Sequence, residues 1–453
     1  MDFWRPFHRE TVAASMRAQG ALRLFFAFAL ALLVALPAHA VQLLRDPDIE
    51  HALRKLAEPV LQAAGLNPNR VRILIVNDSA LNAFIIDSDA IFINYGLILK
   101  LDEPEMLQGV IAHEAAHIVN GHISRRMANL RNARTVSGLG MALAAVAAAS
   151  GQGEAATGLA LGTSSSAQRS FLAHTRSEEA SADQSGVRFL KRAGISPSGM
   201  LKVLQIFEGQ ELLIGGRQDP YARSHPLSRD RVRAMEAFVA AFGDTSTPDA
   251  DRNYWYARAR GKISAFTRSP KWTFGRAKEG PTQDITLMRQ AIAHHRNSNA
   301  TQAVKAIDAA IALRPSDPFF YELKGQILLE SRQISAAVTA YKKAVDLAPK
   351  DALILSSYGR ALLANEQYGA ALQMLENARA RDFRDTRLLR DLSVAYARQG
   401  QNGMASLVTA ERYALQGRLK DAEIHAKRAS GLLPAGSGPW QRAQDVIIAA
   451  ERS

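Results

Sequence analysis

Residues 111–119 read Ile111-Ala112-His113-Glu114-Ala115-Ala116-His117-Ile118-Val119. His113 and His117 are four residues apart, so on a helix they share one face and their imidazoles can reach one ion. Glu114 points to the adjacent side, where it meets a water on the metal rather than the metal. A carboxylate so placed takes a proton as water attacks a carbonyl carbon and passes it to the leaving amine. The same pattern occurs by chance on solvated helices with two surface histidines. Here the neighbours Ile111, Ala115, Ala116, Ile118 and Val119 are apolar. Two histidines and a glutamate in such a setting are costly unless paired or bound to metal. The segment is expected to lie on a helix running from Glu103 to Leu130.

A tetrahedral catalytic site needs a third protein ligand. The chain has no cysteine, which excludes thiolate ligands and disulfides and leaves His, Asp and Glu. Downstream, a helix expected over Ser177–Ala193 carries Glu178-Glu179-Ala180-Ser181-Ala182-Asp183. Glu179 and Asp183 are again four apart. One carboxylate can bind zinc while the next accepts the free ring N–H of a zinc histidine, fixing its tautomer. Glu178 competes for the ligand role but is five residues from Asp183 and faces elsewhere. Alone, the acidic cluster would read as a solvated face.

The 453 residues are too many for one ordinary core and suggest two or three domains. Hydrophobic residues at 47% and charged residues at 22% are those of a globular chain. The net charge of +13 leaves open a peripheral contact with an anionic membrane or simply solvated basic helices. No nucleic-acid module or dense basic run is present. Leu22 to Leu36 is an apolar run broken only by Arg23, with Arg17 in front and Pro37-Ala38-His39-Ala40 behind. This reads as a cleaved signal peptide over 1–40, with Met16 as an alternative start; an uncleaved anchor is the competing reading. Either way the mature chain lies outside the cytoplasm.

After a helix at 46–64, β-rich runs at 71–76, 82–86 and 90–94, with the turn Asp87-Ser88-Asp89, predict a small antiparallel sheet. Val136 to Gly162 is rich in Ala and Gly, and the pattern does not choose between a hairpin, a membrane-touching element and a buried pair. Further helices are expected over 196–211 and 228–242, a linker at 245–251 and a loop at 269–280. Tyr254-Trp255-Tyr256 with Arg258 and Arg260 is expected to pack back on the first domain. Ala303, Ala337, Ala371 and Ala405 recur every 34 residues, as do Gly325 and Gly359, Pro315 and Pro349, and Ala344 and Ala378. That interval, with small residues where helices approach closely, indicates tetratricopeptide repeats. From Gln416 the pattern slips out of phase, as a capping unit would. The expected fold is mainly α. A zincin-type metallopeptidase domain, helices with the small antiparallel β-sheet, fills 41–268. An α-solenoid of tetratricopeptide repeats follows over 281–450.

His113-Glu114-x-x-His117, Glu179-x-x-Ala182-Asp183 and His225-Pro226, with Arg231 six residues after His225, together resemble the HtpX and CAAX-prenyl-protease type of zinc peptidase over roughly residues 47–265. The resemblance implies one Zn2+ per chain held by His113, His117 and Glu179, with Glu114 as base and Asp183 orienting a ligand. It places His225 near the metal. In such proteins a histidine there can take the fourth position and silence the enzyme, and Arg231 would stabilise the oxyanion or hold the site closed. Independently, a His or Arg donor aimed at the developing oxyanion lowers the barrier; the bland reading of His225-Pro226 is a loop turn. Asn82-Ala83-Phe84 and Asn94-Tyr95-Gly96-Leu97 stand where the family has its substrate-side edge strand and next helix. An extended peptide could add to that edge, unless another part of the chain covers it. His122 is expected to face away as a structural residue, the role of His174 is open, and His294, His295 and His425 belong to the repeat surface.

Joined to a signal peptide and repeats, the resemblance implies a periplasmic zinc endopeptidase for misfolded or misassembled outer-membrane proteins. Its repeats would recruit clients or assembly machinery. The alternative is a chaperone or adaptor with mostly latent proteolysis. A zinc hydrolase of small molecules fits poorly with repeats built for protein contacts.

Overall fold

The computed structural model describes residues 42–123, 125, 176–210, 219–242 and 249–452. The expected signal peptide, the stretch 136–162, His174 and most of the linker at 245–251 lie outside the described residues.

The first helix, α1 (Pro47–Ala63), starts where its sequence says it should. The Asp46 carboxylate accepts from the Ile49 N–H at 3.0 Å, and Pro47 takes the first turn, where a missing N–H costs nothing. Leu53, Leu56, Val60 and Leu61 bury one face of it in the core.

Strands β1 (Leu43–Leu44), β2 (Arg72–Val76), β3 (Ala83–Ile85) and β4 (Ala90–Asn94) form one sheet in the order β1-β2-β4-β3. β1 runs antiparallel to β2, and β3 antiparallel to β4 with Ala83 opposite Ile93. β2 and β4, however, are parallel, with Arg72 opposite Ala90. The sheet is therefore mixed, not the antiparallel one expected. The reason is visible in β2: Ile73, Leu74, Ile75 and Val76 are all buried, a continuous apolar run covered on both faces, which is the environment of parallel pairing. β3 is left as an edge strand.

After α2 (Tyr95–Lys100) comes the central helix α3 (Pro104–Val119), buried at every residue from Met106 to His117. It ends earlier than the expected Leu130. Asn120 caps it, Gly121 turns left-handed at φ +67°, and residues 122, 123 and 125 resume a helical course. Then follow α4 (176–192), α5 (Ser198–Ile206), α6 (Pro220–Ser224), α7 (Arg229–Phe242) and α8 (Ala250–Thr267). α5 crosses α3 so closely that a Cβ on Gly199 would lie 2.2 Å from the Glu105 carbonyl oxygen.

α8 belongs to two cores. Tyr256, Ala259 and Ile263 join the peptidase-side core, and Ala265 joins the first core of the C-terminal helices. Its aromatic stretch packs back as expected, with the Tyr256 hydroxyl donating to the Leu101 carbonyl at 2.7 Å. Arg258, fully buried, lies 2.7 Å from Asp48 of α1 and 2.5 Å from Asp317, and buried Lys262 lies 2.9 Å from Asp46.

The expected loop at 269–280 is instead mostly helical: α9 (Pro270–Arg276), capped by Ser269, and a 3-10 turn over Ala277–Glu279. The Ser269 cap and Pro270 in the first turn start a helix that composition alone hides. Ten helices follow from α10 (Gln283–Arg296) to α19 (Gly438–Glu451), packed in sequence, neighbour on neighbour. Left-handed residues recur at the same 34-residue interval, at Ser298, Arg332, Glu366 and Gly400, each between the two helices of a pair. A Cβ on Gly325 would come 2.8 Å from the Tyr341 ring and one on Gly359 2.6 Å from Leu375. Those glycines are where paired helices touch.

A methyl group at Gly199 has no room against a backbone carbonyl. Gly199→Ala is expected to destabilise the protein by about 1–3 kcal/mol in denaturant unfolding, because α3 and α5 must part. An unchanged midpoint would mean that α5 yields freely.

Candidate metal centre

α3 presents His113, Glu114 and His117 to the interior, and α4 brings Glu179 and Asp183 against them. His225 caps α6, and Arg231 stands in the first turn of α7. α6 is tied to the loop that leads into β3: the Tyr221 N–H donates to the Leu81 carbonyl at 3.0 Å, and within α6 the His225 N–H donates to the Tyr221 carbonyl at 2.8 Å. The Tyr221 ring lies 4.6 Å from the His225 ring.

Three ring nitrogens and a carboxylate converge. His113 Nε2 is 3.0 Å from His117 Nε2 and 3.2 Å from His225 Nδ1. Glu179 lies 3.2 Å from His113 Nε2, 3.3 Å from His117 Nε2 and 3.1 Å from His225 Nδ1. Zinc bonds of about 2.0–2.1 Å in a tetrahedron put neighbouring ligand atoms about 3.3 Å apart. Five of the six separations among the four groups, taking either Glu179 oxygen, are thus close to the edge length of a zinc tetrahedron. All are buried, and their ligand atoms lie within 4.8 Å of one another.

The electrostatics also call for a cation. Burial alone would raise the Glu179 carboxyl, yet His225, His113 and His117 hold it well below its ordinary range. Burial also works against Asp183, and hydrogen bonding to His113 with the Arg231 charge holds it low. Burial disfavours a charged His113, but the two carboxylates prevail and lift it to about 10. Both carboxylates thus stay charged on the positive charge of their neighbours.

The outer contacts orient the candidate ligands. Asp183 Oδ1 is 3.0 Å from His113 Nδ1, which leaves the Nε2 lone pair facing inward. Arg231 donates from Nε and Nη2 to Asp183 at 2.7 and 2.9 Å and from Nη1 to the Pro226 carbonyl at 2.9 Å; Nη1 lies 3.2 Å from Glu179. Its guanidinium is thus spent on the Asp183 and Glu179 carboxylates and the loop behind them. Glu178 turns away, 3.8 Å from Arg125. Glu114 is fully buried, and His225 Nε2 lies 3.3 Å from it.

His122 was expected to face away, and it does not. Its Nδ1 lies 2.8 Å from His117 Nδ1. The break at Gly121 cancels the ideal-helix geometry on which that expectation rested, and Asn120-Gly121 was the signal that could have revealed it. Tyr221, four residues before His225, was also missed. Asn82, Ala83 and Phe84 lie on or beside β3. The Ala83 carbonyl is 3.4 Å from His225 Nε2, and Phe84 stacks on Phe92 at 5.3 Å. In the repeats, His295 lies 2.7 Å from Glu330, and His425 packs on Tyr413.

Residues 44–239 match the model of Peptidase family M48. Zinc is the ion of M48 metallopeptidases, and the donor set described above suits it. The beta-barrel assembly-enhancing protease of Yersinia pestis is 22% identical over 310 residues, which are 65% of this chain and 61% of that protein. The metalloprotease LoiP of Escherichia coli K12 is 28% identical over 169 residues, 36% of this chain and 60% of LoiP. The chain thus spans about 61% of the length of the first of these relatives. Among solved structures, MamA (41-end) from Desulfovibrio magneticus RS-1 is 20% identical and aligns with 36% of this chain and 96% of its own, at a TM-score of 0.32.

Asp183→Asn removes the acceptor that sets the His113 tautomer. Zinc affinity, read by competition with a chromophoric chelator, is expected to fall roughly 10- to 100-fold. Affinity equal to that of the parent chain would exclude an orienting role for Asp183.

Proposed function

We propose that the protein is a zinc-dependent endopeptidase with His113, His117 and Glu179 as metal ligands and Glu114 as general base. One observation carries this reading: a buried donor set with tetrahedral edge lengths stands directly beside an equally buried Glu114. Zinc, when bound, polarises a peptide carbonyl and acidifies water.

The chain's own residues supply the rest. Glu114 holds the proton of the attacking water and returns it to the departing amine. Asp183 keeps His113 in the tautomer whose Nε2 faces the site, and His122 does the corresponding work on Nδ1 of His117. Arg231 clamps Asp183 and Glu179 from behind, which favours holding the site closed over donating to an oxyanion. β3 offers an edge to which an extended segment could add, with Asn82, Ala83 and Phe84 beside the scissile bond.

His225 reads best as a fourth ligand that competes with substrate. Its Nδ1 stands at ligand spacing from His113 and Glu179 while its Nε2 covers Glu114. Water and substrate would have to displace it, along with α6 from the edge of β3. This arrangement favours an enzyme that rests closed. The same observation lends weight to the second reading, a chaperone or adaptor with latent proteolysis.

Clients are read as misfolded or misassembled outer-membrane proteins in the periplasm, recruited directly or through assembly machinery by the repeats. The name of the Yersinia pestis relative and the sequence at 1–40 support this setting. Among the described residues no helix is long and apolar enough to cross a membrane.

Glu114→Gln is expected to keep zinc and lose casein cleavage by roughly a hundred- to ten-thousandfold. Persistent cleavage would remove Glu114 from the mechanism, whereas full envelope function in cells carrying this variant would favour the chaperone reading. His225→Ala, assayed alongside, is expected to cleave casein about tenfold faster, as the closed state loses its ligand. Slower cleavage would instead make His225 a donor in the transition state.

A further inference from the structure

Two recesses adjoin where α1 meets the loops of the repeats. One, of about 670 Å³, is lined by His51, Arg54, Trp255, Arg314 and Lys350 among others. The next, of about 360 Å³, shares Arg54 and Lys350 and adds Arg381. Both lie outside the metal centre.

The charges in these recesses do not balance. Every carboxylate along them is already engaged. Glu50 and Asp382 pair with Arg45 at 2.5 and 2.7 Å, and Asp317 pairs with Arg258. Asp351 caps its own helix by accepting from the Leu353 and Ile354 N–H groups. Of the cations, Arg314 is matched by Asp284 at 2.6 Å. Arg54, Lys350 and Arg381 are exposed and form no ion pair among the described residues. Arg54 donates to His51 Nδ1 at 3.1 Å and Arg381 to the Asn377 carbonyl at 2.6 Å, both neutral acceptors, since burial and Arg54 push His51 down to about 4. Three exposed cations from three separate elements thus face one seam, with only the Asp351 charge, spent on its helix cap and felt by Arg54, left to set against them. Beside them the His51 ring packs 4.8 Å from half-buried Trp255 and 4.9 Å from Phe319.

We propose that this seam binds an acidic, extended polypeptide segment, its carboxylates on Arg54, Lys350 and Arg381 and an apolar side chain against Trp255. Free carboxylates would restore the missing charge, and bidentate pairing suits both arginines. The shape favours a chain over a bilayer. The recesses are concave, with walls from both α1 and the repeat loops, so a flat anionic surface would meet their rims while an extended segment reaches the floor. The net charge of +13 acquires a local purpose here, distinct from the solvated lysines and arginines elsewhere. The proposal does not depend on peptidase activity.

The test is fluorescence anisotropy of a labelled short peptide of Asp and Glu with one Phe, titrated with the full zinc-loaded protein at low and high salt. A triple variant, R54E with K350E and R381E, is expected to bind about tenfold more weakly or worse, with a shallower salt dependence. A control triple at exposed cations elsewhere, K191E with R192E and K420E, changes net charge equally and should bind as the parent does. K350E alone, at a loop position, should lose affinity in the same direction even if the triple variant folds poorly. Equal losses in both triples would reduce the effect to net charge and overturn the proposal. So would absence of peptide binding, or binding to phosphatidylglycerol vesicles but not to the peptide, which would make the seam a membrane contact.

Discussion

Glu179 and Asp183 hold their negative charge in an interior that would by itself neutralise them. A buried carboxylate costs several kcal/mol unless good geometry offsets it. Here the offset comes from every neighbouring element. α3 supplies two imidazoles, α6 a third, and α7 a guanidinium bonded through two nitrogens to Asp183. Positive charge between these groups is therefore a requirement of the fold as well as of any chemistry. An ion bound among these groups would add to the same packing, which is how metal binding becomes folding energy.

Much of this was legible in the sequence because the chemistry obeys helical spacing. His113 with His117, and Glu179 with Asp183, meet as a four-residue interval predicts. The repeats were legible through their interval and their small residues. What escaped depended on breaks in regularity. Gly121 ends α3 early and turns His122 back onto His117. The parallel pairing of β2 with β4 was written in the unbroken burial of β2, but short apolar runs do not announce their direction. α9 was hidden by a composition typical of loops. The placement of His225 against Glu114 needed tertiary structure, since over a hundred residues separate it from the helix it meets.

The repeats and the peptidase domain are joined by more than chain continuity. Arg45 and Arg72 reach Asp382 in the loop before α16 (Thr386–Arg398), and Arg387 donates to the Arg45 carbonyl at 2.7 Å. On the other side, Arg258 and Lys262 of α8 gather Asp46, Asp48 and Asp317. The pairs made by Arg45, Arg258 and Lys262 are largely buried, so their geometry resists sliding in a way that surface pairs do not. The recruiting surface proposed for the repeats is thereby held in a fixed relation to the candidate metal centre.

The sharing of α8 has a further consequence. Near residue 268 the described residues on either side share one helix, since α8 packs into both cores. Taking away the helices after α8 would uncover Ala265 and deprive Arg258 of one of its two carboxylates, in the helix that also packs behind α1. Damage far along the solenoid can therefore be felt at the catalytic end as lost cohesion, with every ligand intact. Conversely, an event that grips the repeats pulls on the same helix that braces the peptidase core, so load applied at one end has a rigid path to the other.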